Sequence, residues 1–248
     1  MVRFVNWYFE RYLRKHWQSV RMVSSSTVPT LTGPTVIYLN HPSWWDPITC
    51  AYFVRRYYAQ REHFAPIDAA ALRKYKFLSK IGLFGIDRHS RRSTADFLRT
   101  CEAIFTRDTG TLWVTAEGEF TDPRVRPVVL RTGIAHLARR HSQVTFIAMA
   151  IEYTHWQERK GEVLVNFGRP RQFSNEMSVD AIHEGLTREM TGTLDTLAAA
   201  AMTRDPSRFV TLMSSAGGVH PVYDAFRRVI AKLRGQSFSA VHAERGEP

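Results

Sequence analysis

The chain has 248 residues, 44% hydrophobic and 23% charged, enough for one substantial core and unlike a wholly disordered chain. Its 34 basic against 23 acidic side chains leave a net charge of +11, which suits a polyanionic partner without choosing between nucleic acid and anionic lipid. Two cysteines, Cys50 and Cys101, stand among apolar residues and form no CxxC pair; this excludes a disulfide framework and suits a reducing compartment.

Taken in chain order, the first segment is "MVRFVNWYFERYLRKHWQSVRM". At helical period Val5, Tyr8, Phe9, Tyr12, Leu13, Trp17 and Val20 fall on one stripe, with Arg3, Arg11, Arg14, Lys15 and Arg21 mostly off it. Glu10 and Arg11 interrupt any apolar run, so neither a signal peptide nor a membrane span is expected. An amphipathic helix lying on an anionic bilayer is expected, with Trp7, Tyr8, Tyr12 and Trp17 facing the membrane. The same stripe would also serve to pack the helix on the domain.

The run "SSSTVPTLTGPT" then reads as a linker. Beyond it, apolar runs of strand length alternate with helical segments. Strands are expected at "TVIYLN" (35–40), "EHFAPI" (62–67), "FGIDR" (84–88), "TLWVTAE" (111–117), "VTFIAMAIEY" (144–153) and "EVLVNFG" (162–168). Helices are expected over 43–58, near 91–107, in "TGIAHLARRH", over 178–202 and over 221–234. This alternation predicts an α/β fold: a single domain with a central, mostly buried sheet flanked by helices and preceded by the amphipathic helix. The organisation expected is helix and linker over 1–30, the α/β domain over 31–210, and a C-terminal amphipathic helix and tail over 211–248.

Within this pattern, "YLNHPSWWDPITC" places His41 and Asp46 five residues apart. On a helix they would point about 140° apart, which is not a shared face. Pro42 suits a helix's first turn, so "NHPSWWD" reads as a strand-to-helix turn at the carboxyl end of a strand. On such a turn Asp46 can fold back to orient the His41 ring, leaving the other ring nitrogen free to take a proton. An isolated histidine at a strand end is ordinarily structural, and HxxxxD alone is weak evidence.

Two further stretches stand with it: "GLFGIDR" (82–88) and "AEGEF" (116–120). In this order, "NHPSWWD", "GLFGIDR" and "AEGEF" resemble the first three motifs of the glycerolipid acyltransferases, the lysophosphatidic acid acyltransferase family. The resemblance covers residues 36 to about 153. It implies transfer of a fatty acyl group from an acyl thioester, acyl-CoA or acyl-carrier protein, to a hydroxyl of a lysophospholipid such as 1-acylglycerol 3-phosphate. His41 and Asp46 would be the catalytic general-base dyad. Asn40, Ser43, Arg88, Glu117 and Gly118 would bind substrate, with Arg88 holding an anionic head group. No cofactor, metal or covalent enzyme intermediate is implied. The partners would be a membrane lipid acceptor, the acyl thioester donor and an anionic membrane surface, with the enzyme peripheral on the cytoplasmic face.

The third motif departs from the family pattern. Glu119 and Phe120 stand where the family commonly has Thr-Arg, and Ala116 replaces a proline. Arg124 or Arg126 would have to supply the missing cation; otherwise the acceptor carries no phosphate, as in a glycolipid, a carotenoid glycoside or an amino-lipid. A nucleic-acid-binding protein is disfavoured, because the basic residues are scattered or lie on amphipathic helices rather than forming a recognisable module. A hydrolase with a GxSxG elbow is disfavoured because no such motif occurs. His136 and His141 have no cysteine partners, and "IHEG" lacks a second histidine, so neither suggests a metal site.

Overall fold

The computed structural model describes residues 2–87 and 91–215, with backbone alone at 91–94. Arg88 and the helix expected over 221–234 lie outside the described residues.

Eight strands form one mixed sheet: β1 (Ser19–Val23), β2 (Thr35–Leu39), β3 (Glu62–Asp68), β4 (Leu83–Ile86), β5 (Gly110–Thr115), β6 (Thr145–Thr154), β7 (Glu162–Phe167) and β8 (Phe209–Ser214). Their spatial order is β4-β3-β5-β2-β6-β7-β1-β8. The strands β4, β3, β5, β2 and β6 run parallel; β7 is antiparallel to β6, β1 parallel to β7, and β8 antiparallel to β1. Among the described residues six α-helices accompany them: α1 (Val2–His16), α2 (Asp46–Tyr57), α3 (Ala69–Lys74), α4 (Arg91–Phe105), α5 (Gly133–Arg140) and α6 (Val179–Met202).

The continuous apolar runs of the central strands follow from burial on both faces. Along β2, Val36 and Tyr38 face one core with Leu137, Leu186 and Met190 of α5 and α6. Ile37 and Leu39 face the other, with Leu13 of α1 and Tyr52 and Phe53 of α2. Along β6, Phe146, Ala148 and Ala150 lie in the first core, and Ile147, Met149 and Ile151 in the second. The period of two thus divides a three-layer α/β/α arrangement.

The N-terminal stripe does not continue as helix to Val20. The helix ends at His16, with Arg14, Lys15 and His16 in its last turn, where cations meet the negative end of the dipole. Gln18 N–H then donates to the Gly161 carbonyl at 2.8 Å, and Ser19–Val23 pairs between β7 and β8. Burial of Val20, Met22 and Val23 in the sheet outweighs the helical period of so short a segment. The first 30 residues therefore contribute a strand to the main sheet. β8, which spans the expected boundary at 210/211, belongs to that sheet too.

Trp17, expected to face a membrane, is 8% exposed and packs in the core beneath α1 and α2. Trp7 and Tyr8 remain exposed, and Tyr12 is half-buried against Trp45 at a ring separation of 5.4 Å. Glu10 joins α1 to α2 through Arg55, at 2.7 Å, while also holding Arg14. Among the described residues no helix is long and apolar enough to cross a membrane.

Candidate active site

The strand β2 ends at Leu39, and the turn 40–45 delivers the chain to α2, which starts at Asp46 rather than at 43. Pro47, not Pro42, occupies the helix's first turn. Asn40 anchors this turn: its amide donates to the Ile151 carbonyl at 2.9 Å, and its oxygen accepts from Ile151 N–H at 2.8 Å. With 0% exposure and both ends occupied by β6 backbone, Asn40 holds the turn instead of reaching a substrate as expected. Ser43 is a turn residue as well. Its hydroxyl accepts from Trp45 N–H at 3.3 Å, and its own N–H points to Asp46 at 3.4 Å.

Across the turn, His41 Nδ1 lies 2.6 Å from Asp46 Oδ2. A carboxylate only accepts hydrogen bonds, so Nδ1 carries the hydrogen and Nε2 presents its lone pair. Asp46 is 1% exposed and sits in the first turn of α2, where the helix dipole favours an anion. Burial raises its carboxyl above the usual range; His41, the Tyr153 hydroxyl and Ser43 N–H act against that. Its other oxygen accepts from Tyr153 Oη at 3.0 Å.

Glu117, after β5, grips the same turn from the opposite side. Its Oε2 accepts His41 backbone N–H at 2.7 Å, and burial raises its carboxyl. The loop then reverses through Gly118 at φ +75, a conformation that L side chains rarely adopt. A Cβ on Gly118 would also lie 3.0 Å from the Arg131 side chain, which crosses it. Arg131 Nε donates to the Glu117 carbonyl at 3.2 Å, and its guanidinium lies 3.6 Å from Glu119. Phe120 returns over the turn, its ring 4.3 Å from the His41 ring, while remaining 64% exposed. Thr121 N–H donates to the His41 carbonyl at 3.0 Å.

The structure thus brings His41, Asp46, Ser43, Glu117 and Gly118 together. Arg124 is committed to Asp122 in its own turn. Arg126 is held by Asp195 of α6 at 2.7 Å, although its charge still acts on Glu117. Neither arginine reaches back to stand where the third motif lacks one. Three neighbours escape sequence reasoning, Arg131, Tyr153 and Thr49, while Phe120 enters it only as a departure from the motif. For Tyr153 a signal existed, since it shares the face of Ile147, Met149 and Ile151 and so points toward α2. Cys50 is no nucleophile; burial, then the Asp46 charge, pushes its thiol far up. Among the described residues no group of three or more His, Cys, Asp or Glu side chains is placed to hold a metal.

Residues 19–152 match the family described as Acyltransferase. The chain belongs to the acyltransferase family. The matched region runs from β1 through most of β6, so it includes the His41 turn and the Glu117 loop. The acyltransferase fold is also seen in a solved structure, the 1-acyl-sn-glycerophosphate (LPA) acyltransferase PlsC from Thermotoga maritima. It aligns with a TM-score of 0.54 at 14% identity, over 77% of this chain and 78% of that chain. The pilus retraction motor PilT with bound ADP aligns at a TM-score of only 0.39 and 11% identity, over 76% of this chain and 64% of that chain, and carries no argument. No curated protein matches the sequence.

Proposed function

We propose that this acyltransferase moves a fatty acyl group from acyl-CoA or acyl-carrier protein to a lysophospholipid hydroxyl, with His41 as general base and Asp46 as its orienter. The 2.6 Å contact between His41 Nδ1 and Asp46 carries the reading. It leaves Nε2 to take the hydroxyl proton as the oxygen attacks the thioester carbonyl. The tetrahedral intermediate then expels the thiolate, which receives that proton from His41. The acceptor is itself the nucleophile, so no covalent enzyme intermediate is needed.

A lysophospholipid such as 1-acylglycerol 3-phosphate is the acceptor favoured by the likeness to PlsC, whose printed description names that activity. Arg131 at the rim, 67% exposed along its side chain, is the cation available to such a head group on this loop. A second reading keeps the chemistry and changes the acceptor to a glycolipid, carotenoid glycoside or amino-lipid. Phe120 favours it, because an apolar ring lies over His41, and Glu119 beside it in sequence already engages Arg131.

The acceptor and product are lipids, so the site must meet a bilayer. Phe4, Trp7 and Tyr8, at 67%, 42% and 51% exposure, offer an aromatic face on α1 for peripheral contact at the cytoplasmic leaflet, with Arg3 and Arg11 beside it. The test is a transfer assay with labelled acyl-CoA and acyl-carrier protein against 1-acylglycerol 3-phosphate, monoacylglycerol and a glycolipid in mixed vesicles. Preference for the phosphate acceptor supports the first reading, preference for an uncharged acceptor the second, and transfer to none of them overturns both.

A further inference from the structure

We infer that Tyr153, backed by Thr49, is a positioning residue that fixes the carboxylate of Asp46 and, through it, the orientation of the His41 ring; this rests on the general-base reading above. Tyr153 lies near the end of β6 and its Oη is 3.0 Å from Asp46 Oδ1, the oxygen that His41 does not use. The same hydroxyl is 2.9 Å from Thr49 Oγ1, three residues into α2 from Asp46. Ionised Asp46 can only accept, so the phenol proton points to it and Thr49 donates in turn to the phenol oxygen. Burial, with the Asp46 charge behind it, raises the phenol far above its usual range, so it remains a donor. The result is one directed chain: Thr49 to Tyr153, Tyr153 to Asp46 and, from the opposite side, His41 to Asp46.

Two features make this chain a device rather than an incidental contact. Both carboxylate oxygens are occupied, so Asp46 cannot rotate about its terminal bond without giving up a charge-assisted hydrogen bond. The phenol ring is itself held, by Trp17 at a ring separation of 5.0 Å. Trp17 also meets Trp45 of the catalytic turn edge-on at 5.5 Å. The segment between α1 and β1 therefore braces the dyad through Trp17 and Tyr153, a role opposite to the membrane contact expected of Trp17.

Loss of the hydroxyl should therefore appear in turnover and not in donor binding, the split expected of a residue that acts through Asp46.

The experiment measures kcat and donor KM of Tyr153→Phe, Thr49→Val, Asp46→Asn, Tyr153→Phe/Asp46→Asn and His41→Ala, each checked for folding by thermal melting. Tyr153→Phe should lower kcat by about tenfold, the scale of a lost hydrogen bond to a buried charge, with the donor KM little changed. Thr49→Val should lower kcat by about threefold, again with the donor KM little changed, and it carries the test should Tyr153→Phe not fold. In the Asp46→Asn background the Tyr153 substitution should add little, because the chain is already broken. Losses that multiply, or that fall on the donor KM instead of kcat, would reduce Tyr153 to core packing and overturn the inference. A silent His41→Ala would instead overturn the general-base reading beneath it.

Discussion

The turn at 40–46 and the rim of the loop that follows Gly118 are built by opposite means, although Glu117 at the base of that loop is buried against the turn. In the turn, Asn40 and Asp46 are buried and satisfied by partners from β6 and from the turn itself. In the loop, Glu119, Phe120 and Arg124 are exposed, and the arginines pair with carboxylates outside the dyad. Proton transfer needs geometry held to a fraction of an ångström, which buried hydrogen bonds supply. Reading a head group needs charge at a wet rim, where exposed ion pairs exchange partners at a cost of about 1 kcal/mol or less. On the proposed function, the contrast would place the chemistry in the turn and the choice of acceptor in the loop.

Asp46→Asn breaks the turn's side of the contrast most directly. It keeps the shape but favours the wrong His41 tautomer, and kcat should fall by about 10²–10³-fold with the donor KM little altered. A defect confined to KM would make Asp46 a binding residue. Next in size is Asn40→Ala, which orphans Ile151 N–H and C=O. Folding stability should fall by about 2 kcal/mol, read by denaturant titration; an unchanged midpoint would mean that water or a neighbour takes over both groups.

For the loop, Arg131→Gln should raise KM for 1-acylglycerol 3-phosphate by about tenfold, the scale of one charge-assisted contact, and added salt should narrow the gap. Monoacylglycerol should respond little, as should either acceptor to Arg124→Gln. Equal losses on both acceptors would make Arg131 a brace for the Gly118 reversal alone. The smallest effect expected is on bilayer contact. Trp7→Ser with Tyr8→Ser should weaken sedimentation with anionic vesicles by about threefold to tenfold while leaving melting unchanged. Unaltered binding would remove α1 from the membrane surface. Deleting residues 1–23 is a poor substitute, since it takes β1 out of the sheet.

Much of this architecture is legible in the chain, for a physical reason. The strands β2, β5 and β6 are buried on both faces, so they appear as unbroken apolar runs, whereas Pro42 points to a helix start at 43 and α2 begins at Asp46 with Pro47 in its first turn. The strand β1 is hidden because Val20 continues a helical stripe, and only pairing with β7 and β8 decides against helix. β8 is as short and half-exposed, and its partner is nearly 200 residues away. His41 and Asp46 are near in sequence, so turn geometry alone brings them together. Tyr153 is more than 100 residues from Asp46, and its meeting depends on β6 lying beside β2. Arg131 reaches the rim only because Gly118 reverses the chain and leaves room for its stem. Neither the reversal nor the clearance is written in residue order.

The central claim is that His41 removes the acceptor's proton. Its most direct test is the single-turnover acyl-transfer rate of His41→Ala, at saturating donor and acceptor, beside a melting curve that verifies the fold. A folded variant slower by about 10²–10⁴-fold is the predicted result. A folded variant transferring the acyl group at nearly the normal rate would contradict the account.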